Sequence, residues 1–289
     1  MRVRLAIVGG ASSHVDQVLR LVRAGSLGPE VDVVVVAAPD AEPVPDDRLA
    51  ALGACGVPVV RTGAPAATAR AVVRHGPEAV LVATRDAAGH RALTAPLLRA
   101  DLPVLVDKPF TADPDDAAVL VTLAAARGVG LTSASALRFH AGATALAARW
   151  RAAPGGLAIH ASGPADPASP HGGLAFAAVH VVELALAALR DRPDGPVPVA
   201  AAAGVRTAVV PAGRDVATIT VATPLDRVGT PYHLAVTGPA GREDLRVDLA
   251  DDYLRPVLAR FAAGVRTGVV APSGAALVDS VRVLAALCA

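Results

Sequence analysis

Lysine occurs once in this 289-residue chain, at Lys108 in "VLVDKPFTADP" (104–114); of the 27 basic residues the other 26 are arginine. Burial can lower an ammonium's pKa towards neutrality, which a guanidinium does not permit, so a lysine can hydrogen-bond a reacting oxygen as a compact cation. Lys108 is therefore a candidate catalytic residue; the alternative is a leftover lysine in an arginine-biased composition. The second candidate is His180, in the apolar run "GLAFAAVHVVELALAALRD" (173–191). Phe176 lies four residues before it and Glu183 three after, so the three share one helix face. Histidine is the side chain that titrates near neutral pH unaided. His180 is either a proton donor and acceptor or a satisfied core histidine, and Glu183 either orients it or makes a surface contact worth little.

A third constellation is "GGASSH" (9–14), between the apolar run "VRLAIV" (3–8) and the helical pattern "HVDQVLRLVRAG". A dinucleotide-binding turn reads G-x-G-x-x-G, with an acidic residue about 20 residues on for the ribose. Gly9 takes the first glycine place, while Ala11 and His14 take the second and third, so the match is degenerate. Gly10, Ala11, Ser12 and Ser13 offer backbone N–H and hydroxyl groups to a phosphate at a helix N-terminus, or a serine caps the helix, and the two coexist at such turns. After "VDVVVVAA" (31–38), Asp40 is either the ribose-binding acid or a turn residue of "APDAEP". That leaves NAD versus NADP open.

These residues need elements to hold them. Short apolar runs ("VRLAIV", "VDVVVVAA", "VPVVRTG", "EAVLVAT", "LPVLVD") alternate with helical segments up to "VGLTSAS" (129–135). Such alternation predicts right-handed β-α-β units in a doubly wound parallel sheet. Ligands of that architecture bind outside the carboxyl ends of the strands, and Lys108 follows one of them. From 136 onward strand-like runs (157–163, 198–210, 215–223, 232–238, 244–250) are separated by turns, which predicts a largely antiparallel sheet. Two closing helices follow. The expected division is a doubly wound α/β domain over 1–135 and an α+β domain with the largely antiparallel sheet over 136–289.

The totals narrow the function. No run reaches the roughly 18–20 apolar residues of a membrane helix, and the opening stretch reads as strand and turn rather than as a signal peptide, so a soluble cytoplasmic protein is expected. A net charge of +1, no basic block and 2% aromatic residues offer nucleic acid neither an electrostatic footprint nor a stacking platform. Cys55 and Cys288 lack metal-ligand spacing, and no metal is expected.

The same residues resemble the glucose-fructose oxidoreductase and inositol dehydrogenase (Gfo/Idh/MocA) family. "VLVDKPFTADPDDAAVLVTLAAARG" is similar to its strand ending in Glu-Lys-Pro before a helix, with Asp107 for the usual Glu. "HRALTAPLLRADLPVLVDKP" is similar to its histidine-led helix and Lys-Pro strand, and "GGLAFAAVHVVELAL" to its histidine-bearing helix. The closing helices match as well, so the likeness spans nearly the whole chain. The resemblance implies a Rossmann domain paired with an open-faced sheet domain, and an NAD- or NADP-dependent oxidoreductase acting on a small-molecule alcohol, ketone or imine. It places Lys108 beside nicotinamide and substrate, gives His180 the proton exchange with the reacting oxygen, and adds Thr84, Asp107 and Pro109 to the cofactor contacts. It also implies a homodimer or homotetramer. Phe176 stands where many members carry an aspartate, which makes the pocket more apolar. The alternatives on this fold are a redox-neutral enzyme and a non-catalytic ligand-binding regulator.

Overall fold

The computed structural model describes residues 2–28, 30–224 and 231–289, which divide into two compact units. In the first, strands β1 (Val3–Val8), β2 (Val31–Pro39), β3 (Val59–Thr62), β4 (Ala79–Val82), β5 (Val104–Val106) and β6 (Leu131–Thr132) form one sheet in the order β3-β2-β1-β4-β5-β6. Every pairing is parallel. Helices α1 (Ser13–Arg23), α2 (Asp46–Gly53), α3 (Pro65–Val73), α4 (His90–Arg99) and α5 (Pro114–Arg127) make the connections. The central strands are continuous apolar runs because both faces are covered: Ile7, Val36, Val80 and Val106 are fully buried. The strand order reverses between β1 and β4, which opens a crevice at their carboxyl ends. Helix α2 is not evident as apolar periodicity, because of its residues only Leu52 is buried. The run 129–135 contributes just two residues to the sheet, as β6.

The second unit holds β7 (Ala158–Pro164), β8 (Val199–Ala202), β9 (Val205–Ala212), β10 (Asp215–Ala222), β11 (Tyr232–Gly238) and β12 (Gly241–Val247), ordered β12-β11-β7-β10-β9-β8. The sheet is mixed and mostly antiparallel, since the central pair β7 and β10 runs parallel. Helices α6 (Ala141–Arg151) and α7 (Ala175–Ala188) pack over it, and α7 shares a core with Ile159, Ala161, Ala217 and Ile219. On the other face Val205, Val209 and Val216 stand exposed, so the sheet is open-faced. The run 198–210 is a hairpin rather than one strand. It turns at Ala203-Gly204, where Gly204 takes a positive φ of 73° that a side chain would resist.

Two stretches depart from the expected division, and the shorter, Ala112–Pro114, groups with the second unit. Asp252–Leu277 belongs to the first unit, not to a continuous second domain over 136–289. The reason is the apolar face of α8 (Arg255–Thr267), where Val257, Leu258, Phe261 and Ala262 are buried and which packs on α1 and β1. Gln17 Oε1 accepts from the Leu254 amide at 2.9 Å, and the Thr132 hydroxyl donates to Pro272 O at 2.7 Å. Helix α9 (Ala275–Cys288) then carries the chain into the second unit. Among the described residues no helix is long and apolar enough to cross a membrane.

Candidate active site

The first unit gathers most of the candidate cofactor residues around the β1–β4 crevice. Gly9 has φ 111°, and a Cβ there would lie 2.9 Å from Ala83 C and Thr84 N. Glycine is required because the β1 turn presses onto the β4 turn. Ser12 caps α1, its hydroxyl accepting from the His14 amide at 3.2 Å, whereas Ser13 is exposed on the first helical turn. The amides of Gly10 and Ala11 donate to one carboxylate oxygen of Glu42, at 3.1 and 3.3 Å. The other Glu42 oxygen accepts from the Arg85 amide at 2.9 Å. Asp40 is exposed just past the end of β2, its amide donating to Thr62 O at 3.0 Å. The carboxylate on the glycine-turn amides is that of Glu42, which lies beyond the end of β2 in a proline-rich loop where no motif spacing points to it.

At the end of β4, Thr84 is 4% exposed, and among the described residues its hydroxyl has no hydrogen-bond partner. A buried orphan hydroxyl costs about 1–3 kcal/mol. A fully buried histidine, His90, ties this end to the lysine segment: Nε2 lies 2.9 Å from Thr84 O, and Nδ1 lies 2.9 and 3.1 Å from Pro109 O and Phe110 O. The sequence signal for it was its place at the head of the helix before the Lys-Pro strand.

Lys108 is 7% exposed directly after β5. Burial pulls its pKa down, the Asp107 carboxylate opposes that, and Arg85 adds to it. Asp107 is the hub of the cluster. The His14 ring donates to it at 2.6 Å, and the Lys108 amide donates at 2.8 Å. Burial alone would raise this carboxyl, yet the charge and hydrogen bond of His14, with the charge and amide of Lys108, hold it at about 2. The residue in the third glycine place of "GGASSH" therefore joins the β1 turn to the lysine strand. Tyr253 meets the His14 ring edge-on at 5.7 Å, and burial raises its hydroxyl, as does the nearby Asp107 charge.

In the second unit His180 is 9% exposed on α7. Its Nδ1 lies 2.7 Å from the hydroxyl of Ser135, which also accepts from the Leu137 amide at 3.2 Å. Tyr232 stands edge-on to the ring at 5.8 Å. Glu183 does not supply this contact. Its carboxylate pairs with Arg138 Nε at 2.5 Å and accepts from the Ser280 hydroxyl, so it is a buried structural ion pair. Ser135 lies 45 residues from His180 in sequence, so no local spacing points to it as the partner. Phe176 packs against the ring of His171 at 5.1 Å. His140 caps α6 through a bond from the Ala143 amide, and His160 bonds Thr218 on β10.

The donor set of the first unit fits a dinucleotide. Two turn amides already hold an anionic stand-in, the Glu42 carboxylate, and the orphan Thr84 hydroxyl adjoins the same turn. Comparison with known proteins agrees. Residues 61–135 match the family model described as "Oxidoreductase family, NAD-binding Rossmann fold". No curated protein matches the chain. Among solved structures it is similar to a myo-inositol dehydrogenase from Corynebacterium glutamicum, with TM-score 0.77 and 16% identity over 98% of this chain and 95% of that one. It is also similar to the WlbA dehydrogenase from Thermus thermophilus in complex with NAD and UDP-GlcNAcA, with TM-score 0.76 and 19% identity over 99% and 95%. A third similar structure comes from Vibrio cholerae and is described as a Gfo/Idh/MocA family oxidoreductase (TM-score 0.74, 15% identity, 99% and 97%). At these identities the likeness is one of fold.

Proposed function

We propose that this chain, whose residues 61–135 match the oxidoreductase family model with an NAD-binding Rossmann fold, is an oxidoreductase of the Gfo/Idh/MocA type that transfers a hydride between a nicotinamide dinucleotide and a small-molecule alcohol, ketone or imine. The observation that carries this reading is Lys108. The chain's single lysine is buried at the carboxyl edge of a parallel sheet, and its ammonium is balanced by a carboxylate held ionised.

The turn at Gly9, Gly10, Ala11 and Ser12, with Thr84, would hold the dinucleotide. When bound, nicotinamide gives or takes the hydride at its C4. The remaining work falls to the protein. Lys108 hydrogen-bonds the reacting oxygen or nitrogen and stabilises the negative charge that develops there. His180 moves the proton, with Ser135 setting the direction of its ring; proton transfer of this kind contributes about 10²–10⁴-fold. His90 and Asp107 hold the lysine segment in place. Phe176, one turn before His180, favours a substrate less polar than the myo-inositol of the Corynebacterium relative. The exposed valines of the second unit's sheet support assembly as a homodimer or homotetramer.

Titration of the purified protein with NADH and NADPH, followed by nicotinamide fluorescence or calorimetry, tests the reading. Binding of at least one is expected, and Lys108→Met and His180→Ala should keep that binding while losing about 10²-fold or more in turnover. Failure of the wild-type chain to bind either dinucleotide refutes it.

A further inference from the structure

The amide side of the glycine turn faces a carboxylate of the chain itself. Glu42 receives three backbone N–H bonds, two from Gly10 and Ala11 in the β1 turn and one from Arg85 after β4. Bonds from N–H groups to an ionised carboxylate are stronger than neutral ones. The carbonyl side of the same turn is held by Arg48. Its Nε donates to Gly10 O at 3.0 Å and its Nη2 to Ser12 O at 3.4 Å, while the guanidinium is anchored on Asp16 at 2.7 and 2.9 Å. An anion on the amides and a cation on the carbonyls keep the turn in the shape a phosphate would select.

The amides of such a turn, at a helix N-terminus, are those that receive a phosphate. Two anions cannot share the same pair of donors, so Glu42 and a pyrophosphate exclude one another. The loop that carries Glu42 permits exchange. Val44 is buried against Gly10 and anchors it, whereas Ala41 and Pro43, on either side of the half-buried Glu42, are exposed. Rotation of the Glu42 side chain outward disturbs no core contact of Val44.

We propose that Glu42 is a built-in plug of the dinucleotide site: its carboxylate occupies the phosphate position, lowers the apparent cofactor affinity, and swings away as the pyrophosphate enters. The proposal rests on the reading of the first unit as a dinucleotide-binding unit. Its size follows from population arithmetic, because apparent affinity falls by the fraction of molecules with the amides free. A plug present in nine molecules of ten weakens binding about tenfold.

The test uses the full chain with Glu42→Ala and Glu42→Gln, the latter keeping the shape and one acceptor oxygen without the charge. Binding of NADH is measured by fluorescence, and binding of ADP-ribose and adenosine by calorimetry. The expected result is about tenfold or more tighter binding of NADH and ADP-ribose by Glu42→Ala, a smaller gain for Glu42→Gln, and no change for adenosine, which has no phosphate. Unaltered or weaker NADH binding by both variants, with native circular dichroism, overturns the plug; weaker binding that extends to adenosine would make Glu42 a ribose contact instead. If Glu42→Ala does not fold, the Glu42→Gln result decides. Wild type that binds NADH while the variants gain nothing refutes the plug alone. Absence of NADH binding in wild type and both variants refutes the dinucleotide reading and the plug with it.

Discussion

Replacing Asp107 by Asn removes the charge at the centre of the His14–Asp107–Lys108 cluster while keeping its shape. A carboxyl held at about 2 instead of its ordinary 3.8 stabilises the fold by about 2 kcal/mol near neutrality, at about 1.4 kcal/mol per pKa step. Because the folded value is depressed, that contribution is complete above about pH 5 and is lost as pH falls through 3.8 towards 2. Asp107→Asn should therefore lower stability by about 2 kcal/mol at pH 7, and the gap to wild type should shrink to less than half at about pH 2.5. Urea denaturation followed by far-ultraviolet circular dichroism at several pH values measures both. A double-mutant cycle with His14→Ala assigns the part due to the 2.6 Å contact. The same substitution removes the charge that sustains the Lys108 ammonium, so the alkaline limb of the pH–rate profile should move to lower pH. A neutral-pH loss below about 0.5 kcal/mol, or a loss that does not change between pH 7 and 2.5, would refute the argument.

Three further outcomes follow from the same geometry. Ser135→Ala should lower kcat by about tenfold or more with NADH affinity unchanged; an unaltered kcat would remove Ser135 from the proton step. Breaking the buried pair by Glu183→Ala should destabilise the second unit by about 3–5 kcal/mol in thermal or urea unfolding, whereas a loss under about 1 kcal/mol would show that the pair is solvated. Thr84→Val replaces an orphan hydroxyl by a methyl group, so the free protein should gain about 1–3 kcal/mol in urea unfolding while NADH binds more weakly; unaltered NADH binding would take the hydroxyl out of the cofactor contacts.

Local pattern determined a large part of this architecture. The strands of the parallel sheet are β-branched runs buried on both faces, and α7 is apolar nearly all round, so each announces itself within a few residues. Elements whose burial is partial did not. Helix α2 buries one leucine, and the 198–210 run alternates without showing where Gly204 folds it back. The C-terminal boundary was also hidden, because the apolar face of α8 reads the same whichever unit it covers. The proximity of Lys108 to Asp107 is written in the chain, since they are neighbours.

What only tertiary structure decided are the partners. That His14 meets Asp107 across 93 residues, that Ser135 rather than Glu183 holds His180, and that Glu42 reaches the amides of the glycine turn all depend on which ends of separate strands and helices come together. Sequence spacing orders side chains along one element through its 3.6- or 2-residue period. Hydrogen bonds and charges act across elements within a few ångströms, and no local period encodes that distance. The chain's only lysine was therefore legible as a chemical group from the sequence, while the environment that tunes it exists only in the fold.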